Sequence, residues 1–161
     1  AVALLAESEF IDIFGVENSL TPAMDLFTKL GYLGLTCRLN TDAYLQQIGA
    51  GHLPHGAVAV AFSHSGSSAD TVKALRLAKS HGAKTIAITN AIGAPLASWA
   101  DVTLLTGRDS HTIYGNAIFS RVADTALVDM LYMGVILSGY GRFSTALDES
   151  GRMIRDRVFE N

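Results

Sequence analysis

Hydrophobic positions along the chain fall into short runs divided by polar loops and by segments of helical period. Phe10-Ile11-Asp12-Ile13-Phe14 has the length of a strand and stops at Gly15; Thr21-Pro22 then opens a helix running to about Leu33, proline being tolerated in a first helical turn. Leu35 to Asn40 is a second strand, Asp42 is placed to cap a short helix over Tyr44 to Ile48, and Gly49 to Gly56 is a loop. Ala57-Val58-Ala59-Val60-Ala61-Phe62 is apolar at every position, as in a parallel strand covered on both faces. It ends abruptly in the polar loop Ser63-His64-Ser65-Gly66-Ser67-Ser68, and a helix follows at once. From Ala69 to His81, Val72, Leu75 and Ala78 recur at helical spacing, Lys73, Arg76 and Lys79 fill another face, and Gly82 supplies the stop. Lys84 to Thr89 is a further strand, Ala94 to Ala100 a short helix and Asp101 to Thr106 a fifth strand.

Strands alternating with helices predict an α/β fold, because parallel neighbours need long crossover connections lying on the sheet faces. The expected architecture is a three-layer α/β/α sandwich around a five-stranded parallel sheet. Beyond it, Thr112 to Gly139 predicts one long helix whose second half is apolar nearly all round, and Phe143 to Phe159 a charged amphipathic helix. No repeat, low-complexity tract or linker divides the chain, so residues 1–161 read as one domain.

Composition narrows the function classes. A length of 161 residues with 49% hydrophobic content suits one domain with a sizeable core. A net charge of −3 provides no positive field with which this chain alone would grip DNA. The most apolar helical segment, Ala126 to Leu137, is interrupted by Asp129 and falls short of the roughly 20 residues that span a bilayer, so no membrane partner is expected. Ala1 to Phe10 contains Glu7 and Glu9, lacks a positive leader region and does not start with Met; it reads as the tail of a helix with sequence missing upstream. The single Cys37 excludes an internal disulfide and a cysteine-based zinc site, and in a strand it is expected as a buried inert thiol, which fits a cytoplasmic origin.

The chemistry concentrates in two loops. In an open parallel sheet, ligands bind beyond the carboxyl ends of the strands, where the strand order reverses. Gly15-Val16-Glu17-Asn18-Ser19 follows the first strand, and Ser63 to Ser68 follows the third and runs into a helix N-terminus. An anion placed there meets unpaired backbone N–H groups, the positive end of the helix dipole and several hydroxyl donors. The plainer alternative is that Ser67 or Ser68 only caps the helix and Gly66 only makes a turn. Four serines in six residues exceed what capping requires.

Ser63-His64-Ser65-Gly66-Ser67-Ser68-Ala69-Asp70-Thr71 resembles the signature of the sugar isomerase (SIS) domain, Ser-x-Ser-Gly-x-Thr/Ser followed by an acidic residue. The similarity continues through residues 78–89 and 96–101. The tail from Phe119 to Asp124 and from Leu127 to Tyr132 is similar to the sugar-sensing half of RpiR-type transcriptional regulators. The resemblance implies a flavodoxin-like SIS fold and a homodimer or higher homo-oligomer. It also implies an effector domain that binds a phosphorylated sugar or sugar acid and modulates DNA binding by an N-terminal helix-turn-helix domain lying outside this sequence. Ser63, Ser65 and Ser68 would hold the phosphate with the loop amides around Gly66, Ser19 with Asn18 would reach the ligand from the first loop, and His64 could touch it. No catalytic residue, metal or cofactor is implied for such a sensor.

The first loop departs from the family's Gly-x-Gly-x-Ser in having Glu17 at the third position. A carboxylate beside a phosphate either repels it, points to solvent, or hydrogen-bonds sugar hydroxyls or an amino group and sets specificity. The same substitution removes a dinucleotide Gly-x-Gly-x-x-Gly reading, and no Gly-x-x-x-x-Gly-Lys-Ser/Thr loop exists. The alternative function is a phosphosugar aldose–ketose isomerase, for which Glu17, His64 and His111 are the candidate bases, none in a recognisable catalytic motif. Ser65 lacks the Gly-x-Ser-x-Gly elbow of a serine hydrolase, and His52 and His55 flanking Pro54 have no further ligand to suggest a metal. Asp129, with Arg121 and Asp124 two turns earlier, forms an ion-pair cluster or faces a solvated edge. Leu127, Met130, Leu131, Met133 and Val135 exceed what one sheet face buries, so a partner helix is expected.

Overall fold

The computed structural model describes residues 1–107 and 121–155. A short helix α1 (Val2–Glu7) leads into β1 (Ile11–Phe14), a 3-10 turn (Glu17–Ser19) and α2 (Leu20–Tyr32). Then come β2 (Cys37–Leu39), α3 (Ala43–Ala50), β3 (Val58–Phe62), α4 (Ala69–Ser80), β4 (Lys84–Thr89), a 3-10 turn (Ala97–Trp99) and β5 (Val102–Leu105). Two helices, α5 (Val122–Ser138) and α6 (Tyr140–Met153), complete the described chain. All strand pairings are parallel, in the order β2-β1-β3-β4-β5. The five-stranded, three-layer expectation is met.

The two faces of the sheet are built differently. Along β3, Val58, Val60 and Phe62 enter a core of large side chains shared with Leu26 and Leu30 of α2 and with Val128, Leu131 and Val135 of α5. Ala59 and Ala61 point to the other core, where Ala87 of β4 meets Ala74 and Ala78 of α4. Because strand side chains alternate between faces, one run of six apolar residues supplies both cores. Small residues on both sides bring α4 close to the sheet, which holds the segment joining β3 to α4 in a short, defined path.

Several boundaries differ from the sequence reading. Asp42 does cap α3, accepting the Leu45 N–H at 2.9 Å. The helix expected over Ala94 to Ala100 shrinks to one 3-10 turn, because this segment braces the serine loop: the Leu96 N–H donates to the Gly66 carbonyl at 2.9 Å. Of the helix expected from Thr112 to Gly139, the part over residues 112–120 lies outside the described residues; α5 runs from Val122 and stops at Gly139. There the chain turns by 115° into α6, which starts at Tyr140 instead of Phe143 because Phe143 belongs to the buried face and Gly141 is uncrowded in a helix. The stretch 156–159 of that expected helix is outside the described residues. Asp129 is exposed and pairs with Lys29, which also holds Asp25 at 2.7 Å, so it does not join Arg121. Cys37 is half-buried, and burial pushes its thiol up to about 12, leaving it protonated at neutral pH. Among the described residues no single helix is long and apolar enough to cross a membrane.

Candidate functional site

In the order 2-1-3-4-5 the chain leaves β1 towards one edge and β3 towards the other, so the loops after these adjacent strands splay apart and leave a crevice at their carboxyl ends. Each loop is positioned by a buried polar anchor. Behind the first, the amide of Gln46, 1% exposed, receives the Gly15 N–H at 3.3 Å and donates to the Gly15 carbonyl at 2.7 Å and to that of Asn40 at 2.8 Å. Gly15 cannot carry a side chain easily, since a Cβ would lie 3.1 Å from the Ser19 carbonyl oxygen. The chain then folds into the 3-10 turn, the Ser19 N–H donating to the Val16 carbonyl at 3.0 Å.

Glu17 has φ 52°, alone among the described non-glycine residues in the left-handed region. The glycine that the SIS resemblance implies at that position would adopt this backbone freely, whereas it costs an L side chain about 1–2 kcal/mol. The Glu17 side chain is exposed at the rim.

The second loop is held from β4. The His64 carbonyl accepts the Thr89 hydroxyl at 3.1 Å and the Asn90 N–H at 3.0 Å, and the Gly66 N–H closes a turn on the Ser63 carbonyl at 3.0 Å. Gly66 has φ 63° and is turned into the fold, where a Cβ would meet Ala94 Cβ at 2.3 Å and Thr89 Oγ1 at 2.8 Å. It shapes the loop and is not among the residues that line the crevice. Capping does not occupy the serines either: Ser68 is the N-cap of α4, yet its hydroxyl makes no cap hydrogen bond and accepts from Thr71 Oγ1 at 3.3 Å. Ser65 Oγ accepts the Ser67 N–H at 3.3 Å, while the exposed Ser67 hydroxyl turns back to the Ser65 carbonyl.

Together these loops line a cavity of about 510 Å³, within the range of small-molecule sites. Glu17, Asn18 and Ser19 stand on one side and Ser63, His64, Ser65 and Ser68 on the other; Val16, Asp70 and Arg121 complete the wall. Asp70 is fixed by the Gln47 amide at 3.3 Å. Burial, then the positive charge of Arg121, lower the His64 pKa against an opposing pull from Asp124, so the ring is neutral at pH 7. In the sequence Arg121 stood within the regulator-like tail and in an expected ion-pair cluster, and was not a candidate site residue. The carboxylate it faces is the buried Asp124, with Nε 4.0 Å from Oδ2. Nothing local to residues 121–124 signals that the head of α5 would close a cavity formed by β1 and β3.

Serine hydroxyls at a helix N-terminus around one cavity are groups able to hold a small polar anion. A family model described as the SIS domain matches residues 4–134. The chain belongs to the SIS domain family. This SIS domain is 30% identical over 161 residues to an uncharacterised HTH-type transcriptional regulator of Caldanaerobacter subterraneus, covering 100% of the chain and 57% of the relative. It is 26% identical over 143 residues to the HTH-type transcriptional regulator RpiR of Escherichia coli, covering 89% of the chain and 48% of the relative. The chain thus spans about half the length of these relatives. Among solved structures, the Vibrio vulnificus NanR protein complexed with ManNAc-6P superposes with a TM-score of 0.91 at 25% identity, covering 99% of this chain and 60% of that one.

Proposed function

We propose that this SIS domain is the phosphosugar-sensing part of an RpiR-type transcriptional regulator, with no catalytic role. The observation that carries the reading is the convergence of Ser63, Ser65 and Ser68 with Ser19 on one cavity at the β1/β3 reversal. Supporting it are relatives that are HTH-type regulators about twice the length of this chain, and the similar NanR protein, which holds ManNAc-6P. On this reading the serine hydroxyls take the phosphate at the N-terminus of α4. His64, Asn18 and Ser19 face the sugar, and Glu17 at the rim distinguishes one sugar from another. DNA is bound by a helix-turn-helix domain beyond this sequence. The exposed stripe of Met130, Met133 and Leu137 on α5 is the face that a second copy would cover in a cytoplasmic homodimer.

The test is calorimetric titration of N-acetylmannosamine 6-phosphate, arabinose 5-phosphate and their unphosphorylated sugars into wild type, Ser63→Ala and Ser65→Ala. Loss of one hydrogen bond to a charged group weakens binding by roughly 10-fold or more. Unchanged affinity in both variants rejects the phosphate loop. Interconversion of aldose and ketose phosphates by the wild-type protein would move the assignment to an isomerase.

A further inference from the structure

Among the described residues, Arg121 is the one Lys or Arg on the cavity wall, which also carries the carboxylates of Glu17 and Asp70. Its side chain is 15% exposed, and its Nε and Nη1 are buried with no hydrogen-bond partner among the described residues. The ion pair with Asp124, at 4.0 Å, is longer than a hydrogen bond. A guanidinium carries five N–H donors in a planar fork that matches the oxygens of phosphate or carboxylate, and buried donors are rarely left unused in a native protein. Arg121 lines a cavity whose other groups include serine hydroxyls, and these two donors lie buried behind that wall. Asp124 lies beside its Nε, and the Arg121 charge is near enough to His64, on the same wall, to lower the pKa of that ring.

We infer that Arg121 is a direct ligand contact, pairing with the anionic group held by the serine loop and so tying the ligand to the first turn of α5. This rests on the phosphosugar reading above and adds to it a residue and a route. The same helix carries the exposed Met130, Met133 and Leu137, so an occupied site fixes the head of the helix whose flank would form the interface between copies. Occupancy would therefore bias the position of α5, which is how a sensor of this build would pass on its state.

The test is titration of wild type, Arg121→Ala, Arg121→Lys and Ser65→Ala with N-acetylmannosamine 6-phosphate and arabinose 5-phosphate, alongside NMR observation of the Arg121 Nε–H while inorganic phosphate is added. Loss of a charge-assisted pair predicts binding at least ~10-fold weaker in Arg121→Ala, with partial recovery in Arg121→Lys. Ligand-induced protection of the amides of residues 122–126 from hydrogen exchange is expected in wild type and absent in Arg121→Ala. Affinity within ~2-fold of wild type in Arg121→Ala, with Ser65→Ala weakened, would overturn the inference and leave the phosphosugar reading standing. Should neither sugar phosphate bind wild type, the phosphosugar reading loses its support. The inference would then stand if inorganic phosphate shifts the Arg121 Nε–H resonance, and fall if it does not.

Discussion

Gly66→Ala separates two demands that the serine loop places on one position. The backbone there has φ 63°, which costs an alanine about 1–2 kcal/mol in the left-handed region. The added methyl group would also start 2.3 Å from Ala94 Cβ and 2.8 Å from Thr89 Oγ1. Relieving such an overlap in a packed region costs about 1–3 kcal/mol. The sum, about 2–5 kcal/mol, is a large part of the roughly 5–15 kcal/mol by which domains are stable. Gly82 is the control: its φ is 86° and nothing lies within 4 Å of a Cβ placed there, so Gly82→Ala incurs only the backbone cost. Urea denaturation of the two variants should show Gly66→Ala less stable than Gly82→Ala by about 1–3 kcal/mol at similar m-values. Since Thr89 also holds the His64 carbonyl, the displaced loop should lose affinity for N-acetylmannosamine 6-phosphate while Gly82→Ala keeps it. Equal stability of the two variants, within ~0.5 kcal/mol, would show that the contacts with Ala94 and Thr89 do not shape the loop.

Glu17→Gly should raise stability by about 1 kcal/mol in the same urea assay, since glycine adopts the φ of 52° without steric cost; a loss of stability would mean that the Glu17 side chain holds the turn. In titrations, tighter binding of every phosphate by this variant would mean that the carboxylate opposes the anion, whereas weaker binding of one sugar alone would mean that it selects. At Asp101, burial acts to raise the carboxyl pKa, but the Thr85 N–H at 2.8 Å, the Thr85 hydroxyl at 2.9 Å and Lys79 at 3.2 Å outweigh it and hold the group below its ordinary 3.8. A depressed carboxylate stabilises the fold above its unfolded pKa, and that contribution disappears as pH falls through the lower folded value. Asp101→Asn should therefore melt below wild type at pH 7 and converge with it as the pH drops beneath 3.8; a constant difference across that range would contradict the assignment.

The alternation of apolar runs with helical periods was enough to locate all five strands and α4, because each β-loop-α unit reports its own burial over a few consecutive residues. The serine loop was visible for the same reason: strand end, loop and helix start are contiguous, and its hydroxyls exceed what a cap uses. The sequence also marked Glu17 as a departure, though its left-handed backbone emerged only from the turn that Gln46 anchors across from α3. What lay beyond local pattern was every feature made by distant segments meeting. The order of the strands placed the loops after β1 and β3 side by side. The packing of Gly66 against Ala94 and Thr89 turned a helix expected at residues 94–100 into a brace. The docking of α5 against α1 and α2 brought Arg121 to a cavity wall whose other described members, except Asp70, belong to the loops after β1 and β3. Periodicity reports which face of an element is buried, and it carries no information about which element covers that face, so the loop could be read from the chain while the cation facing it required the fold.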